Sequence, residues 1–334
     1  MKIFDFQRYY DMEKKQKKLR NIICKGVKNK KKRKFKCFIE GCPKRAINSH
    51  SQSLSNALRR ISKNGYVILP RPSYFMKDNA DIDSYFQGIG VGVASTFKGF
   101  CKGHDVKDFL PVDKVNEQNI TKEALARLAF RTFAYEERTK EESLLFLRYV
   151  IKKGANSIEK PNMEKLVASA ESMENHLKTT RPYYLNKFVR MFDSQNYEQI
   201  YGILFILDKM IRLSCSTMLD PTMIDSDDLM ECDIQKPLDQ VFFNLIPQTD
   251  SSLVIFAHFK EQEEKLKKFI DEYGTLENIV FNHCEEVLLG PDFYSSLDSE
   301  VKYKIIKALK PWYRWDRVHF PDLFHVKLDS SICI

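Results

Sequence analysis

Two short clusters carry residue types that bind metal. Cys37-x4-Cys42 is followed by Ser49-His50, and much further along Cys101-x2-His104 runs into Asp105. Zinc takes nitrogen and sulfur ligands in a tetrahedron, and structural sites draw them as pairs separated by about two to four residues. Cys37, Cys42, Cys101 and His104 are therefore the expected ligands of one structural Zn2+, the first pair at the wide end of that spacing. His50 is a fifth candidate that could replace one of the four. If the four close without it, His50 is left free beside the metal, and Asp105 follows the last ligand directly.

The segments that must position these residues are short. Cys37-Phe38-Ile39 and Gly41-Cys42-Pro43 fit a turn whose backbone N–H groups face the sulfurs. Residues 45–50 read as a short strand ending on His50. Leu54, Leu58 and Ile61 have helical spacing before Gly65, and Tyr66-Val67-Ile68-Leu69 reads as a strand. Gly88-Ile89-Gly90-Val91-Gly92 lacks the following helix of a dinucleotide loop, so no nucleotide cofactor is expected. A module this short and loop-rich is expected to depend on its metal, because binding energy of this kind is folding energy.

Charge is concentrated at the same end. Residues 1–50 hold 17 Lys and Arg against 4 Asp and Glu, a local charge of +13. The whole chain carries +9, so the remainder is −4. That asymmetry points to a phosphate-rich partner, DNA or RNA. The run Lys28, Lys30, Lys31, Lys32, Arg33, Lys34 and Lys36 is the expected nucleic-acid contact. A solvated basic arm is the plainer alternative.

Beyond Thr121 the texture becomes helical. Leu125, Leu128, Ala129, Phe133, Leu144, Leu147 and Val150 share a face over 122–152. Further helices are expected over 163–178, from Pro182, and over Tyr197–Met218. On the 122–152 helix, Arg131, Tyr135 and Glu136 could line a pocket, but a hydrogen-bonded brace under the metal module is the expected role. Residues 241–246 and 253–259 flank Pro247-Gln248-Thr249-Asp250 as a β-hairpin. Helices at 260–273 and 301–309 and the aromatic cluster Trp312, Tyr313, Arg314 and Trp315 complete the chain. The expected fold class is α+β: a small zinc-stapled N-terminal module, a helical middle region, and a C-terminal β-hairpin with flanking helices. The expected divisions are a basic arm (1–36), a zinc-binding module (37–118), a helical region (119–220) and an α+β C-terminal region (221–334).

No apolar run approaches the roughly 20 residues of a membrane span, and no secretory leader is legible at the N-terminus. The eight cysteines show no disulfide framework, and five lie outside the metal pattern. A cytoplasmic location and no membrane partner are expected.

Cys37/Cys42, then His50, then Cys101/His104 with Asp105 resembles the zinc-bearing HNH (ββα-metal) nuclease pattern over roughly residues 37–110. The resemblance implies a treble-clef-like module, His50 as general base, and Asp105 in the place of the ligand to a catalytic Mg2+ or Mn2+. Ser49 stands where that family has Asp or Glu, and the stretch from His50 to Cys101 is longer than is usual there. More broadly, AINSH, STFKGFCKGHD and the AYE helical segment resemble a family of uncharacterised bacterial proteins sharing AI-x-SH and STF-x-GFC-x-x-HD. That similarity implies an anti-phage defence effector or accessory. The expected function is that of a zinc-binding, nucleic-acid-interacting, HNH-like metal-dependent nuclease. The alternative is a non-catalytic zinc-stapled component that binds nucleic acid or a protein partner in a larger complex.

Overall fold

The computed structural model describes residues 17–29, 33–71, 81–116, 118–222, 236–309, 318–326, 328 and 331–334. The chain forms two compact units. One comprises Met1–Phe35, Glu137–Asn186 and Asp233–Pro237; the other comprises Lys36–Glu136, Lys187–Cys232 and Leu238–Ile334.

The larger unit is built on an eight-stranded antiparallel sheet. Its strands are β2 (Tyr66–Pro70), β3 (Phe86–Gly90), β5 (Ile200–Leu207), β6 (Leu213–Leu219), β7 (Val241–Pro247), β8 (Ser252–Phe259), β9 (Val287–Leu289) and β10 (Ser331–Cys333). Their order is β10-β5-β8-β7-β6-β9-β2-β3. Every residue of β7 and β8 is buried, so both faces of the centre are covered. Alternation along β7 divides the labour. Val241, Phe243 and Leu245 join a core with Leu266, Phe269, Ile279, Val280 and Ile305. These come from α6 (Glu263–Tyr273), α7 (Leu276–His283) and α9 (Ser299–Ala308). On the opposite face Phe242 meets Phe133 at 6.4 Å and Phe188 at 5.4 Å. Phe133 lies on α4 (Lys122–Gly154) and Phe188 on α5 (Lys160–Ser194).

A two-stranded hairpin, β1 (Asn48–His50) with β4 (Thr96–Lys98), stands apart from the sheet. Between its strands the chain forms a π turn at Leu54–Leu58 that continues as helix Arg59–Ile61 (together α2), and then supplies β2 and β3 to the large sheet. After β4 comes α3 (Lys102–Phe109). Ser53 caps α2 by accepting the Asn56 N–H at 3.1 Å.

In the smaller unit residues 17–29 are helical and are named α1. The α4 and α5 portions there are joined by polar contacts. Buried Glu137 and His176 lie 2.6 Å apart, and Arg148 reaches Glu174 at 2.5 Å. The Arg138 guanidinium lies over the Phe35 ring, 4.5 Å from its centroid.

Several expectations need correction. The chain is a mixed α and β fold, but residues 200–219 are two strands, not the end of a helical middle region. Ile200–Leu207 is apolar at nearly every position and so shows no alternation, and it reads equally as buried helix. The β7/β8 hairpin forms as expected, within a much larger sheet rather than alone. The helices expected at 163–178 and from Pro182 are one helix, α5, with Pro182 inside it. Lys28 belongs to α1 rather than to an extended arm. The cluster at Trp312, Tyr313, Arg314 and Trp315 lies outside the described residues, as do Lys30, Lys31 and Lys32. No helix among the described residues is long and apolar enough to cross a membrane.

Candidate metal centre

The first ligand pair sits on a tight knuckle. Cys37 N–H donates to the Lys44 carbonyl at 2.8 Å, and Cys42 N–H donates to the Ile39 carbonyl at 3.2 Å. Lys36 and Arg45 bridge across its base. Gly41 turns the chain at φ 72°, a conformation that strains residues with a Cβ. The second pair opens α3. Cys101 caps that helix and His104 lies in its first turn, so the x2 spacing brings both side chains to one face.

The two segments are sewn together by backbone bonds. Phe38 N–H donates to Gly99 carbonyl at 2.9 Å and Ile47 N–H to Phe100 carbonyl at 2.7 Å. Cys101 N–H donates to the Cys37 sulfur at 3.2 Å. Gly99 is required by the close fit: a Cβ there would lie 2.6 Å from the Phe97 ring.

The four ligand atoms converge. Cys37 Sγ lies 3.3 Å and Cys101 Sγ 3.6 Å from His104 Nδ1, and Cys42 Sγ lies 4.0 Å from Cys101 Sγ. All four atoms are within 4.8 Å of one another. Around an ion with bonds of about 2.0–2.3 Å, tetrahedral ligand atoms lie roughly 3.5–3.8 Å apart. The four residues could thus hold a metal ion. Without one, burial pushes the Cys37 thiol up to about 11, whereas the His104 N–H draws the Cys101 thiol below its usual value.

An aromatic layer lies under the centre. Phe38 packs edge-on against Phe100, Phe130 and Phe133 at 6.2, 6.0 and 5.8 Å, and Phe100 meets Phe109 at 4.6 Å. Phe130 and Phe133 come from α4, so the module rests on apolar burial supplied by a distant segment as well as on its ligands.

His50 is outside the ligand group. It ends β1 with Nδ1 3.2 Å from the Ser95 hydroxyl. Burial lowers its pKa, and the Arg131 charge adds to this. The Ala94 carbonyl, Asp105 and Asp113 oppose it. Asp105, one residue past His104, is half-buried and within electrostatic reach of His50. Among the described residues no second group of three or more close metal ligands contains it. Ser49 points the other way from His50, as strand alternation demands. It is buried, and its hydroxyl accepts the Phe100 N–H at 3.1 Å, a strut across the hairpin.

The helix residues do not form one brace. Arg131 donates from both terminal nitrogens to Asp113 Oδ1 at 3.0 Å and lies over the Phe109 ring. Glu136 accepts from the Thr217 hydroxyl at 2.7 Å. Tyr135 stacks edge-on with Phe97 at 5.4 Å and bonds Glu286. Of the basic run, Lys28, Lys34 and Lys36 are exposed and Arg33 is half-buried. Sequence reasoning missed Ser51 and Gln52, which follow His50 directly and are buried although polar. Only their placement beside a histidine hinted at a role. The chain matches no family model, no curated protein and no solved structure.

Proposed function

We propose that the chain is a zinc-stapled protein acting on nucleic acid, with a treble-clef-like HNH module in which His50 is the general base of phosphodiester hydrolysis. One observation carries this reading. Cys37, Cys42, Cys101 and His104 close around one point without His50, leaving that imidazole at a strand end with Asp105 and Arg131 in electrostatic range. Three thiols and one imidazole favour Zn2+ over harder cations. The order of knuckle, hairpin and helix, with ligand pairs on the first and last, supports the treble-clef comparison.

The chemistry follows from the side chains. An imidazole kept neutral by burial is a proton acceptor at pH 7, and Ser95 fixes the ring so that it can take the proton of an attacking water. A Mg2+ or Mn2+ ion bound through Asp105 would supply charge stabilisation at the leaving oxygen. Exposed Lys36, in the same unit as His50, adds phosphate attraction. Free thiols at Cys24 and Cys215 suit a reducing cytoplasm, and the similarity to the bacterial AI-x-SH proteins supports an anti-phage effector as the setting.

A second reading is favoured by Ser49, a buried strut where HNH proteins carry a carboxylate. In that reading the module is a non-catalytic, zinc-stapled binding component. The deciding experiment counts zinc per chain and assays cleavage of plasmid, single-stranded DNA and RNA with Mg2+ or Mn2+, for wild type and His50→Ala. Cleavage by wild type that disappears in a fully zinc-loaded His50→Ala supports the nuclease. Binding without cleavage on every substrate supports the second reading.

A further inference from the structure

Strand alternation gives the β1/β4 hairpin two unlike faces. Ser49 and Phe97, paired across the strands, are buried, and Phe97 packs on Phe100 and Tyr135. Asn48 and His50 point the other way, with their register partners Lys98 and Thr96. Asn48 is exposed and the other three are half-buried. His50 therefore shares a solvent-accessible face with Lys98, one pair along the ladder. Diagonal neighbours of this kind lie roughly 7–8 Å apart, a gap that the four-carbon lysine stem can bridge.

The charge around that face has one sign. Residues 44–50 and 96–104 contain Lys44, Arg45, Lys98 and Lys102 and no Asp or Glu. Lys44, Arg45 and Lys102 are exposed. None of the four forms an ion pair among the described residues. By contrast Lys63, Lys122 and Lys260, in the same unit, are held by Asp292, Glu198 and Glu263. The first carboxylate to follow, Asp105, is half-buried. Thr96 already donates its hydroxyl to the Val93 carbonyl at 2.8 Å. The side chains of Asn48 and Lys98 make no hydrogen bond among the described residues. Cations without counter-charges beside an amide donor favour an anion. Spread over a knuckle, two strands and a helix start, they exceed what one small anion can use and suit an extended polyanion.

We infer that a nucleic-acid strand lies on the His50 face of the β1/β4 hairpin, with Lys98 and Asn48 donating to the non-bridging oxygens of the phosphodiester beside His50. The inference rests on the nucleic-acid reading above and gives it a surface and two residues. The principal contact then lies on the hairpin, not on the basic run at 28–36.

The test uses the full, zinc-loaded chain without Mg2+ or Mn2+. Affinity is measured across a salt series for a short single-stranded oligonucleotide, for the same strand with uncharged methylphosphonate linkages, and for inorganic phosphate. Wild type is expected to bind the natural strand best. Lys98→Met should weaken that binding by about tenfold, the size of one hydrogen bond to a charged group. It should also flatten the log–log salt dependence by about 0.7, the value for one phosphate contact on a single strand. Lys98→Arg should restore most of the affinity, and Asn48→Ala should cost about fivefold. Lys268→Met is the control. It removes the same charge from exposed α6, which packs on the other face of the large sheet from α4, and should change affinity less than twofold. Circular dichroism and zinc content verify each fold, and the methylphosphonate comparison needs no variant.

An effect of Lys98→Met no larger than that of Lys268→Met overturns the inference. So does equal affinity for the natural and methylphosphonate strands. Inorganic phosphate bound as tightly as the strand overturns the diester assignment. Cleavage that needs His50 but is unchanged in Lys98→Met removes this surface and keeps the base. Binding that depends on Lys98, with no cleavage when Mg2+ or Mn2+ is added, removes the nuclease and keeps the surface.

Discussion

The metal centre and the segment just after His50 belong to one module and treat their polar groups in opposite ways. At the centre, four ligand atoms face one another, and the backbone around them is bonded across the two segments. Just after His50, buried side-chain atoms of Ser51 and Gln52 have no hydrogen-bond partner among the described residues. A closed constellation is what a structural site requires, since its energy goes into folding. Polar groups buried without a partner are instead a standing cost of about 1–3 kcal/mol each. The clustered cysteines and histidine are closed among themselves, whereas the polar groups just after His50 are buried unpaired.

The largest expected effect tests the closed half of that contrast. Cys101→Ser, or stripping the metal with a chelator, should destabilise the chain by more than about 4 kcal/mol and release one zinc per chain, seen by denaturant melts and elemental analysis. Full stability after metal loss would break the contrast. Next comes Phe133→Ala. This fully buried ring meets Phe38, Phe130, Phe188 and Phe242, so its removal should cost roughly 3–5 kcal/mol. Because Phe38 sits next to Cys37, the variant should also lose zinc to a chelator faster; unchanged zinc release would mean that the ligands need no apolar floor.

On the accessible face of the hairpin, His50→Ala should lower cleavage by about 100- to 10,000-fold while thermal midpoint and zinc content stay near wild type. A variant that loses zinc instead would move His50 into the closed set.

The smallest effect concerns Glu286, a half-buried residue whose carboxyl Oε2 is buried without a partner. Desolvation raises its pKa to about 7 beside Tyr135. The folded chain therefore keeps a proton that the unfolded chain releases from about pH 4.5 upward. Stability should fall as pH rises from about 4.5 to 7, then level off, by on the order of 3 kcal/mol. Glu286→Gln should flatten that slope in denaturant melts taken across the window. The comparison sharpens the contrast: a carboxyl can meet burial by holding a proton, an option that the Gln52 amide and the Arg131 guanidinium lack.

That Cys37, Cys42, Cys101 and His104 come together was legible because the spacing of metal-ligand pairs constrains such residues directly. The β7/β8 hairpin was legible from two apolar runs and a turn. Strands β5 and β6 were not, because burial on both faces erases the alternation that distinguishes strand from helix. Nor did Pro182 end a helix, since tertiary packing overrode its local effect. Ser51 and Gln52 were invisible for a different reason: nothing in a polar residue announces that the fold will bury it.

One feature of the hairpin bears on how such a module is assembled. The chain leaves β1 after His50 and re-enters at Thr96, its register partner. Ser51 N–H donates to the Ser95 carbonyl at 2.9 Å and ties the neck of the excursion. Beyond that neck, β2 and β3 are held by the large sheet. Loop-closure entropy grows only slowly with length, by about 0.6 kcal/mol per doubling, and here the excursion has a folded site of its own. The two halves of the metal centre are thus brought together much as a short turn would bring them. An insertion at this neck can lengthen or diverge at little entropic cost to metal capture, provided the Ser51–Ser95 bond and the pairing of β2 survive.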